Sequence, residues 1–247
     1  MPQRVVEVAA DVFLGRGTEV NFVLLRDGSD VTLIDSGYPG DLAKVEESLR
    51  AMGRRSEDVV AVLITHAHVD HIGSVNHFRD RYGAAVYCDP IEVAHAHRDY
   101  LEQASPLDVA RNLWRPGLWP WLARVGRVGV TKHVTVPSAQ PFANDGPLDL
   151  PGAPVPVPTH GHTSGHTAYH LPHVGAVVTG DGLVTAHAVL RERGPQVLPQ
   201  FFNHGDPVRA LAALEHLDAD LILPGHGDPL RRPIAEAVRE ARERARS

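Results

Sequence analysis

The feature that most constrains this 247-residue chain is a histidine-rich segment that directly follows an apolar run. Residues 59–64 (VVAVLI) are apolar and mostly β-branched, which predicts a buried strand. Residues 65–71 (THAHVDH) then place three imidazoles and one carboxylate where that strand ends. Ligand groups this close together predict a metal site at this edge of the fold.

The spacing of these groups predicts how they divide between ions. Residues i and i+2 of an extended segment point the same way, so His66 and His68 can reach a single ion. Asp70 and His71 lie past the turn and face a second position. Zn²⁺ is the ion that nitrogen-plus-carboxylate ligation suits best, and ligand type alone leaves Fe and Mn open.

The bulk composition favours one globular α/β domain over residues 1–247, because 43% of the residues are hydrophobic and no domain boundary is visible. The net charge of −6 argues against nucleic acid or an anionic membrane as a partner. We expect a cytoplasmic protein, since the sequence has no apolar run of about 18 residues and no signal-peptide core. The single cysteine, Cys88, fits a reducing compartment.

Strand-like and helix-like segments alternate along the chain, which predicts layers of α and β structure. Residues 4–14, 134–136 and 148–150 are among the predicted strands, and residues 207–217 are predicted to form one helix. Residues 90–131 break this alternation with short helical stretches between Pro and Gly, which predicts an insertion.

Four strand ends share one signature, an Asp or His close to glycine. They are Asp35, the segment 65–71, Asp181 and His226. A second histidine cluster, residues 158–167 (PTHGHTSGHT), follows another predicted strand. Because strand ends of an open α/β fold converge on one edge, a single site is predicted to collect these groups.

In this order and at these intervals, the motifs HxHxDH, GHT, GD and PGHG resemble the metallo-β-lactamase superfamily over residues 5–230. The resemblance implies an αββα sandwich, in which two mixed sheets are flanked by helices, with a helical insertion near residues 90–131. It also implies a dinuclear metal site at the sheet edges.

The resemblance assigns the ligands residue by residue. The first ion is expected on His66, His68 and His162, the second on Asp70, His71 and His226, with Asp181 bridging the two. His160 competes with His162, which is preferred because glycine precedes it and threonine follows it. Asp35 and His166 are expected to support ligands without touching an ion.

This ligand set implies a hydrolase that holds two Zn ions, with Fe or Mn as the other options. A metal-bridging hydroxide is expected to attack the carbonyl of a small-molecule substrate, a lactone, ester or thioester, while Asp70 orients it or carries the proton. Three alternatives stay open: a β-lactam hydrolase, a mononuclear iron enzyme resembling persulfide dioxygenases, and a non-catalytic domain that keeps a metal for structure.

Departures from known subfamilies bear on these alternatives. Class B β-lactamases lack an aspartate bridge, so Asp181 argues against dedicated β-lactamase activity. Glyoxalase II adds a C-terminal helical domain, whereas this chain stops soon after His226. Homoserine lactonases place a tyrosine shortly after the bridging aspartate, where this chain has residues 182–184 (GLV).

Five aromatic residues are candidates for the substrate pocket. They are Trp114, Trp119, Trp121, Phe201 and Phe202. We predict that they line an apolar pocket beside the metal site. In the alternative, they pack the insertion onto the body or onto a second subunit, which leaves a homodimer open.

Overall fold

The computed structural model describes residues 5–143 and 146–246, which form twelve strands and eight α-helices. The strands are β1 (Val5–Ala9), β2 (Val12–Arg16), β3 (Asn21–Asp27), β4 (Asp30–Ile34), β5 (Val59–Leu63), β6 (Ala85–Cys88), β7 (Gln140–Pro141), β8 (Val155–Pro158), β9 (Thr167–Leu171), β10 (Ala176–Gly180), β11 (Leu221–Pro224) and β12 (Leu230–Arg231). The helices are α1 (Leu42–Ala51), α2 (Val69–Ile72), α3 (Val75–Tyr82), α4 (Glu92–His97), α5 (Pro106–Arg111), α6 (Leu118–Gly126), α7 (Pro207–Ala210) and α8 (Ile234–Arg244).

The strands form two mixed sheets. The first contains seven strands in the order β1-β2-β3-β4-β5-β6-β7, antiparallel as far as β4 and parallel from β4 onward. The second contains five strands in the order β12-β11-β10-β9-β8, with β10 and β11 parallel and the other pairs antiparallel. The predicted pair of mixed sheets is confirmed.

Alternating side chains along β3 show why the sheets stack between helices. Phe22 and Leu24 point to one face and pack with buried residues of α1 and α3. Val23 and Leu25 point to the other face and pack against the second sheet. On the far side of that sheet, α8 contributes Val238 to a third apolar cluster. Both faces of each sheet are therefore buried, and the predicted αββα sandwich is confirmed.

The predicted insertion is helical and contains α4, α5 and α6. Helix α6 buries Leu118, Trp121 and Val125 against Val20 and Tyr38, beside the edge where the motif-bearing strands end. The insertion is thereby packed over that edge. No helix in the described ranges combines the length and the apolar character that crossing a bilayer requires.

Two predicted elements differ in outline from the structure. Residues 4–14 hold two strands, because the chain reverses at Asp11, whose φ is 58°; Arg4 lies outside the described residues. Residues 207–217 do not form one helix, because α7 is followed by the 3₁₀ turn Leu211–Ala213. The apolar residues in this stretch recur every third position, which is the 3₁₀ period.

The predicted strands at residues 134–136 and 148–150 are irregular chain. Their backbone groups are satisfied outside any sheet ladder. The N–H of Val136 donates to the carbonyl of Ala96 over 2.8 Å, and the N–H of Leu148 donates to Pro154 over 3.0 Å. Single bonds to such partners satisfy the buried backbone without a neighbouring strand.

Candidate metal centre

The strand ends that carry the motifs meet at one edge of the sandwich. Three groups of side chains there have ligand atoms within 4.8 Å of one another. The groups are His66, His68 and His162; His66, His71 and Asp181; and Asp70, His71 and His226. All seven ligands implied by the resemblance are thus brought together. We call His66, His68 and His162 the first half, and Asp70, His71 and His226 the second half.

Asp181 lies between the two halves. Its Oδ2 is 3.6 Å from Nε2 of His162 and 3.1 Å from Nε2 of His226, and its Oδ1 is 3.5 Å from Nε2 of His71. The side chain is 4% exposed, so its oxygens face the cluster and not the solvent. A carboxylate in this place can contribute one oxygen to each half.

The hydrogen-bond partners of the five clustered histidines fix their tautomers. In the neutral form of each ring one nitrogen donates to an acceptor, so the lone pair of the other nitrogen faces the cluster. The donating atoms and acceptors are Nδ1 of His71 to Asp35 Oδ2 (2.8 Å), Nδ1 of His162 to Asn203 Oδ1 (2.8 Å), Nδ1 of His226 to the Glu19 carbonyl (2.6 Å), Nδ1 of His66 to Thr65 Oγ1 (3.0 Å), and Nε2 of His68 to the Glu102 carbonyl.

Three buried ligand atoms test whether a metal fits. Nε2 of His66, Nε2 of His71 and Oδ1 of Asp181 have no hydrogen-bond partner among the described residues. Buried polar atoms are almost always satisfied, so three together call for a ligand that the protein does not supply. Five imidazole nitrogens with carboxylate oxygens form a donor set that suits Zn, Fe or Mn. The residues therefore fit a metal centre.

Gly225 of the PGHG motif keeps this cluster open. A Cβ atom there would lie 2.3 Å from Asp181 Oδ1 and 3.0 Å from Cε1 of His71. Any larger residue would displace two of the candidate ligands, which explains the glycine in the motif.

Asp35 links the two halves through hydrogen bonds, in the supporting role that the sequence predicted for this carboxylate. It accepts from Nδ1 of His71, and its Oδ2 also accepts from Thr65 Oγ1 over 2.8 Å. Because that hydroxyl in turn accepts from His66, one carboxylate orients a histidine in each half. Asp35 adopts a left-handed φ of 60°, a conformation that Asp and Asn tolerate better than most residues.

The other two histidines of the second cluster do not join the ligands. Nε2 of His166 accepts the backbone N–H groups of Asp181 and Gly182 over 3.1 and 3.2 Å, so His166 holds the end of β10 in place. His160 lies outside the cluster and pairs with Asp89 over 3.1 Å. The geometry thus favours His162 over His160.

The electrostatics of the two halves differ. Burial lowers the pKa of His66 and His68 well below the ordinary value, and neighbouring histidines add to the effect. Burial also opposes charge on His71, but Asp35, Asp70 and Asp181 outweigh it and raise the pKa of His71 well above the usual range. Burial disfavours the Asp181 carboxylate, yet His226 and His71 hold its pKa well below the usual range.

A cavity of about 680 Å³ opens onto this cluster. Trp121, Phe202 and other apolar side chains line it, together with Asp70, Asp181 and basic residues such as Arg98 and Lys132. The prediction that all five aromatic residues line this pocket is wrong for Trp114, Trp119 and Phe201. Trp114 and Trp119 are 64% and 59% exposed, and Phe201 packs against Phe202 without lining the cavity itself.

Their position on helix α6 explains the difference between the tryptophans. Trp119 and Trp121 are two residues apart, so at about 100° per residue their side chains point to opposite sides of the helix. Trp121 belongs to the buried stripe that includes Leu118 and Val125, whereas Trp119 faces out. Trp114 precedes the helix and lies under the guanidinium of Arg115.

Three supporting residues carried no motif in the sequence. Glu92 is fully buried on α4 and takes four donors: the N–H groups of Ala67 and Gly165, Nδ1 of His95 and Oγ1 of Thr163. Asn203 backs His162 from a later loop. His187 lines the cavity, and burial, followed by the charge of His226, lowers its pKa to about 3. No local pattern marks Glu92 or Asn203 as a supporting residue, because the contacts that hold the ligand-bearing segments join distant parts of the chain.

Proteins of known sequence or structure resemble this chain over most of its length. The chain is 24% identical over 212 residues to a probable metallo-hydrolase, YflN of Bacillus subtilis, covering 80% of this chain and 75% of that protein. It is 28% identical over 206 residues to the hydroxyacylglutathione hydrolase of Cupriavidus metallidurans, covering 81% and 58%. The crystal structure of the metallo-beta-lactamase family protein TTHA1429 from Thermus thermophilus superposes with a TM-score of 0.65 at 24% identity, covering 92% and 74%.

The sequence profile of the Metallo-beta-lactamase superfamily matches residues 15–226, a span that includes every ligand of both halves. The match extends over most of the chain, and the fold is the one that the motifs implied. This chain is therefore a member of the metallo-β-lactamase superfamily, a family of metallo-hydrolases.

Proposed function

We propose that this protein is a hydrolase that uses two divalent ions, with zinc as the leading choice, to cleave a small lactone, ester or thioester. The observation that carries the proposal is the tautomer pattern: in their neutral form, five histidines each direct the lone pair of one nitrogen to a cluster at the floor of the cavity. Bound divalent ions would supply an acidified water and polarise the carbonyl group.

The chain's own residues divide the remaining tasks. Asp70 is 15% exposed, against 4% for Asp181, and it lines the cavity. Its Oδ2 lies 3.5 Å from Nε2 of His226. Asp70 is therefore the carboxylate of the cluster that can exchange a proton with the cavity, and we assign it the role of orienting the nucleophile and carrying its proton.

The walls of the cavity support an apolar acyl group. Trp121 and Phe202 contribute aromatic faces, and Leu122 and Leu198 contribute aliphatic ones. A pocket of this kind recognises a hydrocarbon chain by burying it against apolar side chains. A relative named hydroxyacylglutathione hydrolase is in keeping with an acyl substrate.

The first test combines metal quantification with a substrate panel. The purified protein is expected to hold two ions per chain and to hydrolyse a lactone, an oxoester or a thioester faster than a chromogenic β-lactam. Asp181→Ala is expected to lose at least one ion and about 10³-fold or more in kcat/KM, because both halves lose a shared oxygen. Full turnover of Asp181→Ala with its metal bound would show that the two-ion proposal is wrong.

The acyl pocket has a matched pair of variants on one helix. Trp121→Leu is expected to change the ratio of kcat/KM between long and short acyl chains by about tenfold, the scale of one methylene contact. Trp119→Leu removes the same indole ring from an exposed site and is expected to leave that ratio unchanged. Equal ratios in the two variants would contradict the assignment of Trp121 to the pocket.

A further inference from the structure

His187 shares the cavity with the metal centre but differs from the ligand histidines in its hydrogen bonding. Its ring centroid lies 4.8 Å from that of His226, and both residues line the cavity. Nothing in the sequence motifs assigns it a role. It follows Asp181 by six positions, on the loop that leaves β10.

A backbone contact determines which nitrogen of His187 carries the proton. The N–H of Val189 donates to Nδ1 over 3.3 Å, so Nδ1 holds a lone pair and the proton of the neutral ring is on Nε2. The five clustered histidines show the reverse, since each has a protein acceptor on one nitrogen and a lone pair towards the cluster. His187 therefore offers an N–H donor where the clustered histidines offer lone pairs.

The Nε2–H group of His187 is free for this use. Across residues 5–143 and 146–246 it has no protein acceptor, and it is not among the fully buried polar atoms. The ring itself is held between aromatic neighbours, with Trp121 at 5.6 Å and Phe202 at 5.4 Å between centroids. An N–H group fixed in such apolar surroundings forms a stronger hydrogen bond than one in water, and it needs no reorganisation.

We propose that His187 is a catalytic hydrogen-bond donor whose Nε2–H binds the carbonyl oxygen of the substrate and stabilises the negative charge that develops there. The proposal rests on the proposed hydrolase function. The carbonyl oxygen is the acceptor because lactones, esters and thioesters all possess it, whereas a leaving thiolate sulfur is a weak acceptor. His187 keeps its proton throughout, so no covalent bond of the ring forms or breaks.

The test compares two substitutions at one position. His187→Phe keeps an aromatic ring and removes the donor, and we expect kcat to fall about 100-fold with little change in KM, as for the loss of one oxyanion-hole donor. His187→Gln restores an N–H donor and is expected to recover at least tenfold of that loss. The exposed His173→Phe is the matched control and is expected to behave as wild type.

Two further measurements separate catalysis from structure. The metal content and the melting temperature of His187→Phe are expected to equal those of the wild type, and the loss in kcat is expected to be the same for an oxoester and a thioester. Wild-type kcat in His187→Phe, loss of bound metal, or failure of glutamine to rescue would each overturn the proposal.

Binding of an acyl phosphonate, a tetrahedral anion, distinguishes failure of this proposal from failure of the proposed function. If the wild type hydrolyses none of the panel, the hydrolase proposal fails, and the phosphonate still tests His187. A dissociation constant about 100-fold weaker in His187→Phe supports the donor. Equal binding by the two proteins, or no binding by the wild type, overturns it.

Discussion

The two halves of the metal centre differ in the charge of the groups that support their histidines. In the first half, His66, His68 and His162 donate to a hydroxyl, a backbone carbonyl and an amide oxygen, all neutral. In the second half, His226 also has a neutral partner, the backbone carbonyl of Glu19, but His71 donates directly to the Asp35 carboxylate over 2.8 Å. A neutral partner fixes the tautomer and the ring orientation, whereas a carboxylate also raises the basicity of the ligand.

This difference is also visible in the ionisation of the free histidines. Burial lowers the pKa of all three histidines of the first half. In the second half, carboxylates outweigh burial and raise the pKa of His71 and His226. Burial thus favours the neutral form of the first-half histidines, whereas Asp35, Asp70 and Asp181 favour the charged form of the second-half histidines. Removing a supporting group should therefore cost more in the second half.

The largest effect is expected from Asp35→Asn. Asparagine tolerates the left-handed φ of 60° at this position, so the substitution tests charge and not backbone strain. An amide keeps its oxygen towards the Nδ1–H of His71 only by turning its NH2 group to the backbone N–H of Thr65, which Oδ1 of Asp35 accepts over 2.9 Å. In either orientation one buried donor faces another, and the carboxylate charge behind His71 is lost. We expect the metal affinity of the second half to fall about 100-fold, measured by competition with a chelator.

Ser36→Ala provides the control for Asp35→Asn. Ser36 is buried beside Asp35, and its hydroxyl donates to the backbone carbonyl of His71 over 3.1 Å without touching the ring. It should weaken folding slightly and leave metal affinity unchanged. Equal losses of affinity in Ser36→Ala and Asp35→Asn would show that packing, and not the carboxylate, distinguishes the two halves.

Glu92→Gln tests how the neutral half is held. Oε1 of Glu92 accepts from the N–H of Ala67, between His66 and His68, over 2.7 Å, and Oε2 accepts from Thr163, next to His162, over 2.8 Å. A glutamine amide can accept on one side and must present N–H groups on the other. We expect about a 30-fold loss of metal affinity in the first half, read from the visible spectrum of the cobalt-substituted protein.

Asp41→Asn is the matched control for Glu92→Gln, because it removes a buried carboxylate away from the cluster. Asp41 accepts from the N–H and the hydroxyl of Thr18 over 2.9 and 2.7 Å and pairs with Lys44. Both variants should lower the melting temperature, since each leaves buried donors without an acceptor. Only Glu92→Gln should change the cobalt spectrum; a change in both would mean that Glu92 acts through general stability alone.

The contrast between ligands and supporting residues also explains what the sequence could predict. The ligands stand at strand ends, and strand ends are readable from a run such as residues 59–64, so their convergence followed from the α/β pattern. Asp35 was predictable for the same reason. Glu92 and Asn203 were not, because their contacts with the ligand-bearing segments span between 25 and 73 positions and no local spacing records such contacts.

The residues of the pocket were harder to predict than those of the metal centre, because composition does not determine which way a side chain points. Aromatic residues in a Pro- and Gly-rich insertion gave the right region, and Trp121 and Phe202 do line the cavity. The helical rotation between Trp119 and Trp121 then decided which side chain faces in, and that depends on how α6 packs against Val20 and Tyr38. A contact of this kind appears only in the folded chain.

The smallest of the three effects is expected from Asn203→Ala, which removes a neutral partner from a single ligand. Oδ1 of Asn203 accepts from Nδ1 of His162 over 2.8 Å, and Nδ2 donates to the carbonyl of Leu198 over 2.7 Å, which fixes the orientation of the amide. Without Asn203 the ring of His162 can rotate or change tautomer, but no charge is lost. We expect about a tenfold loss of affinity, confined to the first half.

Gln196→Ala controls for the loss of the amide itself. Gln196 is also buried, and its Nε2 donates to the carbonyls of Glu192 and Gly194 over 2.8 and 2.9 Å, yet it touches no candidate ligand. It should share the stability cost of Asn203→Ala without the loss of metal. Asn203→Ala could instead lose as much metal affinity as Asp35→Asn. In that case ring orientation alone would explain the contribution of the supporting residues in both halves, and the charge of Asp35 would add nothing to it.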